Sequence, residues 1–153
     1  MIRGIDHLNI VVSDLARSLA FYTKLLGFTQ TKEAWLEGEW IERIVGLKGV
    51  RARAVFIVPP AGDPRIELLH YAAPAGVSLP QNSLANTHGL RHFALRVDEL
   101  DTVVAKLKAA GVEIWGEPTP VPGGVVEFDT GSTKRLVYLL DPDGVIVELA
   151  EYR

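Results

Sequence analysis

The chain repeats itself, and that repeat constrains its fold more than any other feature. Residues 5–15, Ile-Asp-His-Leu-Asn-Ile-Val-Val-Ser-Asp-Leu, align without a gap with residues 90–100, Leu-Arg-His-Phe-Ala-Leu-Arg-Val-Asp-Glu-Leu. Each reads as an alternating strand with a histidine near its start. A second anchor closes each half: Ile66-Glu67-Leu68-Leu69-His70-Tyr71 echoes Val147-Glu148-Leu149-Ala150-Glu151-Tyr152 as Glu-Leu-x-x-Tyr. Similarity at two anchors in the same order means one supersecondary unit used twice.

The material between the anchors agrees in kind. Ser13 or Asp14 can cap a helix with Leu15, Leu19, Tyr22 and Leu26 on one face and Gly27 at its end. Asp98 can cap a second helix carrying Leu100, Val103, Val104 and Leu107 and stopping at Gly111. Strand-like runs follow over 51–58 in the first half and over 124–129 and 136–140 in the second. Asp141-Pro142-Asp143-Gly144 is a turn signal before the last strand. The span 32–48, with Trp35, Trp40 and Ile41, fits a strand, a short helix, or both. The expectation is an α+β chain of two tandem βαβββ modules, 1–73 and 88–153, joined by a Pro/Gly/Asn-containing linker over 74–87.

At 153 residues and 48% hydrophobic content, the chain is long enough for one domain built from two fused modules. It has no cysteine, which removes disulfides, thiolate nucleophiles, iron–sulfur clusters and sulfur-ligated zinc. Any metal must be held by nitrogen and oxygen. Nineteen acidic against sixteen basic residues give a net charge of −3 without a long run of either sign, which argues against a nucleic-acid partner. Residues 1–12 read as a strand rather than a signal peptide, and no apolar run approaches membrane-spanning length. A soluble, cytoplasmic protein with no membrane partner is expected.

Strand parity sorts the polar residues. His7, Asn9 and Val11 share one face of the opening strand, and His92, Ala94 and Arg96 share the matching face of its counterpart. Glu67 and Glu148 stand inside strands otherwise rich in Leu, Ile and Val, where a carboxylate is costly unless it is paired, hydrogen-bonded or bound to a cation. A lone strand histidine or glutamate means little. The same two chemical types recurring at the same places in both halves point to one divalent-metal site with His7, Glu67, His92 and Glu148 as ligands. His70 and Glu151, three residues past the two glutamates, fall on the opposite strand face, and His88 belongs to the linker.

The motifs resemble the vicinal oxygen chelate superfamily, which includes glyoxalase I, methylmalonyl-CoA epimerase, extradiol dioxygenases, and the fosfomycin and bleomycin resistance proteins. The resemblance spans essentially the whole chain. It is carried by Asp6-His7-Leu8, by Val12-Ser13-Asp14-Leu15-x-Arg17-Ser18-x-x-Phe21-Tyr22-x-x-Leu25-Leu26-Gly27-Phe28, and by Ile66-Glu67-Leu68. Gly89-Leu90-Arg91-His92-Phe93-Ala94 and Asp141-Pro142-Asp143-Gly144-x-x-x-Glu148-Leu149 complete it. It implies a glyoxalase-like fold in which the modules curl a mixed sheet into a cup around one metal, held by the same four residues, and it implies a homodimer. The arginine that bacterial glyoxalase I proteins usually place shortly after the first histidine to contact glutathione is missing from Leu8-Asn9-Ile10-Val11-Val12. The Ile-Glu-Leu-Leu segment, the linker and Lys134-Arg135 are closer to epimerase-type members, many of which carry Gln at the place of Glu67.

Two imidazoles and two carboxylates suit nickel, zinc, cobalt, manganese or iron. Four protein ligands on a six-coordinate ion leave two positions, which is what a small oxygen-rich substrate with vicinal oxygens needs to chelate while its enediolate charge is stabilised. That favours a lyase, isomerase or epimerase. The proton would be taken by Glu67 or Glu148, or by a water on the metal. A ring-cleaving iron dioxygenase normally uses three protein ligands, and a metal-independent drug- or metabolite-binding protein would need none. Asn9, Lys134 and Arg135 are candidate substrate contacts, though a basic pair in a Gly-Ser-Thr loop is commonly just solvated. Trp35, Trp40, Phe56 and Trp115 are candidates for a pocket lining, with at least half of them expected to be ordinary core.

Overall fold

The computed structural model describes residues 1–80, 83–122 and 132–153. The chain divides into two compact units, Met1–Ser78 and Leu79–Arg153, each built around a four-stranded mixed sheet. The strand-like run over 124–129 lies outside the described residues.

In the first unit, β1 (His7–Val11) leads into α1 (Leu15–Ala20) and a π-helical turn, Phe21–Leu25. The Asp14 carboxylate caps α1 by accepting from the Arg17 N–H at 3.0 Å. The wider π turn shifts the buried stripe to Leu15, Ser18, Phe21 and Tyr22, leaving Leu19 and Leu26 half-buried. This corrects the simple helical spacing expected from the sequence. The span 32–48 is both strand and helix, with β2 (Thr29–Glu37) followed by α2 (Glu39–Val45). β3 (Arg51–Val58) and β4 (Arg65–Ala73) complete a sheet ordered β1-β4-β3-β2, with β1 parallel to β4 and the other pairs antiparallel.

Alternation then divides the work between the two faces. Val55, Ile57, Ile66 and Leu68 are buried with Leu15 and Tyr22 of the helical segment. Ile41 of α2 packs with Ala52, Ala54 and Leu69 on the other face, which also carries Phe56 and Glu67.

The second unit repeats the plan with β5 (His92–Arg96), α3 (Leu100–Ala109), β6 (Ile114–Pro120), β7 (Lys134–Leu140) and β8 (Ile146–Tyr152), ordered β5-β8-β7-β6. Leu100, Val104 and Leu107 of α3 are buried with Val137, Leu139, Val147 and Leu149. The turn before β8 is closed by Asp141, whose Oδ1 accepts from the N–H groups of Asp143 and Val145 at 2.9 and 2.8 Å.

Asp98 does not cap α3. Glu99 occupies the cap position in a left-handed conformation, φ 54°, and its side chain makes no capping bond. The Leu100 N–H donates instead to Oε1 of Glu151 at 3.3 Å, so a residue far along the chain does the capping. Left-handed backbone costs a non-glycine residue roughly 1 kcal/mol. Glu99→Gly is expected to raise unfolding free energy by up to about 1 kcal/mol in urea denaturation, and a loss of stability would show that the Glu99 side chain matters more than its backbone.

The aromatic residues correct a further expectation. Trp35 and Trp40 are 63% and 51% exposed, and Phe56 and Trp115 are only half-buried. None of the four is core, because each unit is small and its sheet faces are filled by aliphatic side chains. Among the described residues no helix is long and apolar enough to cross a membrane.

Candidate metal centre

Each unit brings one histidine and one glutamate together by the same device. β1 runs parallel to β4 in a register that pairs Asn9 with Glu67, so His7 stands two residues before the residue opposite the carboxylate. β5 runs parallel to β8 with Ala94 opposite Glu148, so His92 stands in the same relation. A two-residue step keeps a side chain on the same sheet face. His7 Nε2 lies 3.6 Å from Glu67 Oε2, and His92 Nε2 lies 3.3 Å from Glu148 Oε2.

These spacings fit a shared cation. Ligand atoms about 2.0–2.2 Å from one ion and at right angles to each other stand about 3 Å apart. A further feature favours ligation by His7. Its Nδ1 is 2.8 Å from Asp6 Oδ2, and Arg65 Nη2 holds that carboxylate at 2.6 and 2.7 Å. The hydrogen bonds from His7 and Arg65 keep the Asp6 carboxyl below the usual carboxylate range. An imidazole whose Nδ1–H is committed to a carboxylate presents its Nε2 lone pair, the usual arrangement behind a metal-bound histidine. Phe56, opposite Glu67 in β3, meets the His7 ring edge-on at 5.7 Å. Among the described residues no group of three or more His, Asp or Glu is gathered closely enough to hold a metal ion.

The two carboxylates have different neighbours. Glu67 Oε2, the oxygen facing His7, accepts from the Asn9 amide at 2.8 Å. Glu148 faces His92 with Oε2 and accepts from the Lys134 ammonium at 2.7 Å with Oε1. The side chains of Glu148 and Lys134 are 6% and 12% exposed, against 15% for Glu67. Burial alone would pull Lys134 down, but the hydrogen bond and charge of Glu148, with a smaller contribution from Tyr152, leave it above its usual range. Tyr138, paired with Glu148 across β7 and β8, lies 5.1 Å from the His92 ring. Burial and then the Glu148 charge raise its phenol.

The other sequence candidates fall elsewhere. Arg135 is on the α3 side of its sheet, where it forms a two-pronged ion pair with Asp101 at 2.8 Å and approaches Glu151 at 3.6 Å. Glu151 also faces α3 and is held below the usual carboxylate range: burial raises it, but the Leu100 N–H, Arg153 and Arg135 outweigh that. His88 is exposed. The roles of Asp6, Arg65 and Tyr138 were not visible in the sequence. Phe56 and Tyr138 take equivalent places opposite the two glutamates. They stand eleven and ten residues before them, so a gapless comparison of the halves misses the match.

Residues 4–149 match the model of the Glyoxalase/Bleomycin resistance protein/Dioxygenase superfamily. The chain belongs to that superfamily. Its relatives include the uncharacterized protein YaeR of Escherichia coli (strain K12), 30% identical over 152 residues, covering 98% of this chain and 97% of the relative. A probable lactoylglutathione lyase of Vibrio cholerae is 28% identical over 146 residues, covering 95% and 88%. A crystal structure of a glyoxalase family protein from Bacillus cereus superposes with a TM-score of 0.82 at 28% identity, covering 99% of this chain and 95% of that one. The glyoxalase-like fold of two tandem modules, expected from the repeat and the resemblance, is thereby established.

Proposed function

We propose that this glyoxalase-superfamily protein is a divalent-metal-dependent lyase or isomerase in which His7, Glu67, His92 and Glu148 share one ion. The observation that carries the reading is the duplicated His–Glu pair, set by the same two-residue offset between the same two parallel strands in both units. Relatives that include a probable lactoylglutathione lyase support the lyase or isomerase class. When bound, the ion would accept two oxygens of a small substrate and stabilise the negative charge that develops when a proton leaves the neighbouring carbon. Four protein ligands leave two positions, which suits this chemistry better than dioxygen activation at three.

The protein's own residues divide the remaining tasks. Asp6, braced by Arg65, orients the His7 ring. Lys134 occupies one oxygen of Glu148 and leaves the other directed at His92, so Glu148 acts as a fixed ligand. Releasing it would leave an ammonium only 12% exposed without its partner, which is strongly unfavourable. Among the described residues Glu67 is hydrogen-bonded only by the neutral Asn9 amide, on the oxygen that faces His7. It can exchange that contact at small cost, and it is the carboxylate suited to take the proton.

Protein stripped of metal and titrated separately with nickel, zinc, cobalt and manganese should bind about one equivalent of at least one of them. It should gain roughly 2.7 kcal/mol of stability at a free concentration one hundred times the dissociation constant. Absence of both uptake and a shift in melting temperature with all four ions would rule this function out.

A further inference from the structure

The sheet face that carries His92 and Glu148 is not electrically balanced. Strand alternation places Lys134, Leu136, Tyr138 and Leu140 of β7 and Ile146, Glu148, Ala150 and Tyr152 of β8 on that face, together with His92, Ala94 and Arg96 of β5. Among the described residues of these three strands, the face therefore presents two cations against one carboxylate. Lys134 is committed to Glu148. Arg96 is exposed, and among the described residues it forms no ion pair; its guanidinium lies over the Tyr152 ring, 4.6 Å from the centroid. The Lys134 ammonium sits 5.5 Å from the same centroid. Tyr152 thus holds both cations beside the metal-ligand pair. On this face of β5 only Ala94, which is exposed, stands between His92 and Arg96.

From this arrangement we infer that Arg96, supported by Tyr152 and Lys134, forms an anion subsite next to the His92–Glu148 pair. The substrate is then a vicinal-oxygen chelator that also carries a carboxylate or a phosphate-type group. The inference rests on the reading of His92 and Glu148 as metal ligands and goes beyond it by naming the substrate's charge. A planar guanidinium with its donors free binds either anion in two-pronged fashion. The Tyr152 ring fixes the guanidinium through a cation–π contact without neutralising it. Arg135, which the sequence offered together with Lys134 as a candidate substrate contact, already has Asp101 as its partner.

The test uses the full chain loaded with cobalt, with metal content measured first and ligand binding followed by calorimetry and by the cobalt visible spectrum. Three probes share one chelating head: acetohydroxamate, and its analogues bearing a carboxylate or a phosphonate on the methyl carbon. At least one anionic probe should bind about tenfold more tightly than acetohydroxamate, the gain expected of one partly exposed charge-assisted contact. Which of the two gains more tells carboxylate from phosphate-type substrates. Arg96→Met should take up cobalt as the unaltered protein does and bind all three probes alike, and Arg96→Lys should keep part of the preference. Cobalt uptake with equal affinities for the three probes, or a preference that survives in Arg96→Met, overturns the anion subsite alone. Should cobalt not be taken up, the same probes are bound to protein loaded with whichever of nickel, zinc or manganese is, and absence of uptake of all four overturns the metal reading and the subsite with it.

Discussion

Replacing Glu148 by alanine is expected to remove metal binding and to destabilise the metal-free protein as well, two effects with separate causes. Loss of a ligand should weaken metal affinity by more than about 100-fold, because loss of a group that merely orients a ligand already costs 10–100-fold. The second effect comes from Lys134, whose ammonium is 12% exposed and bonded to Glu148 at 2.7 Å. Removing one member of a buried ion pair strands the other and costs about 3 kcal/mol. Lys134→Met in the same chain removes the stranded charge, so the double variant should recover most of the stability and none of the metal. Urea denaturation of metal-free samples reads the first quantity and elemental analysis of loaded samples reads the second. If Glu148→Ala retained a full equivalent of metal, Glu148 would not be a ligand. If the double variant were no more stable than the single one, Lys134 would not be the cause of the loss.

The largest effect on stability alone is expected at Tyr22. Its side chain is fully buried at the π-helical turn, between Phe21 with ring centroids at 5.0 Å and Phe28 at 5.7 Å, both edge-on. Tyr22→Ala would remove that packing and leave a cavity in a small unit with little capacity to collapse around it, costing about 3–5 kcal/mol. Thermal unfolding followed by circular dichroism should show a melting temperature lower by more than about 10 °C. A fall of only a degree or two would mean that the first unit tolerates a hole at its helical edge, contrary to the packing of these three rings.

What could be read in the sequence was what repeats. The two histidine strands have the same length and the two closing strands carry the same Glu-Leu-x-x-Tyr motif, so the module plan was legible in the sequence. Features that differ between the halves were hidden. The π turn at Phe21–Leu25 inserts a residue into a helical pattern whose apolar spacing still suits an ordinary helix. Glu151 caps α3 from 51 residues away, and no local cap signal can reveal that. The offset between Phe56 and Tyr138 relative to their glutamates conceals two ring neighbours of the histidines. The distinction between Lys134 and Arg135 is one of strand parity. Adjacent in sequence, they point to opposite faces, one to Glu148 and the other to Asp101, and which goes where depends on where the strand starts, which no local signal marks.

Strand order has a kinetic consequence. Within their own sheets, β1 and β5 each have a single neighbour, whereas β4 and β8 are bordered on both sides. Both histidines therefore ride on five-residue outer strands, and both glutamates on inner ones. An outer strand peels away at a fraction of the free energy needed to open the sheet as a whole. Anything gripped between His and Glu can thus be released by local fraying while the core stays intact. On the metal reading proposed above, how readily two short strands lift would then set how long an ion stays, even where the rest of the chain is thermodynamically stable.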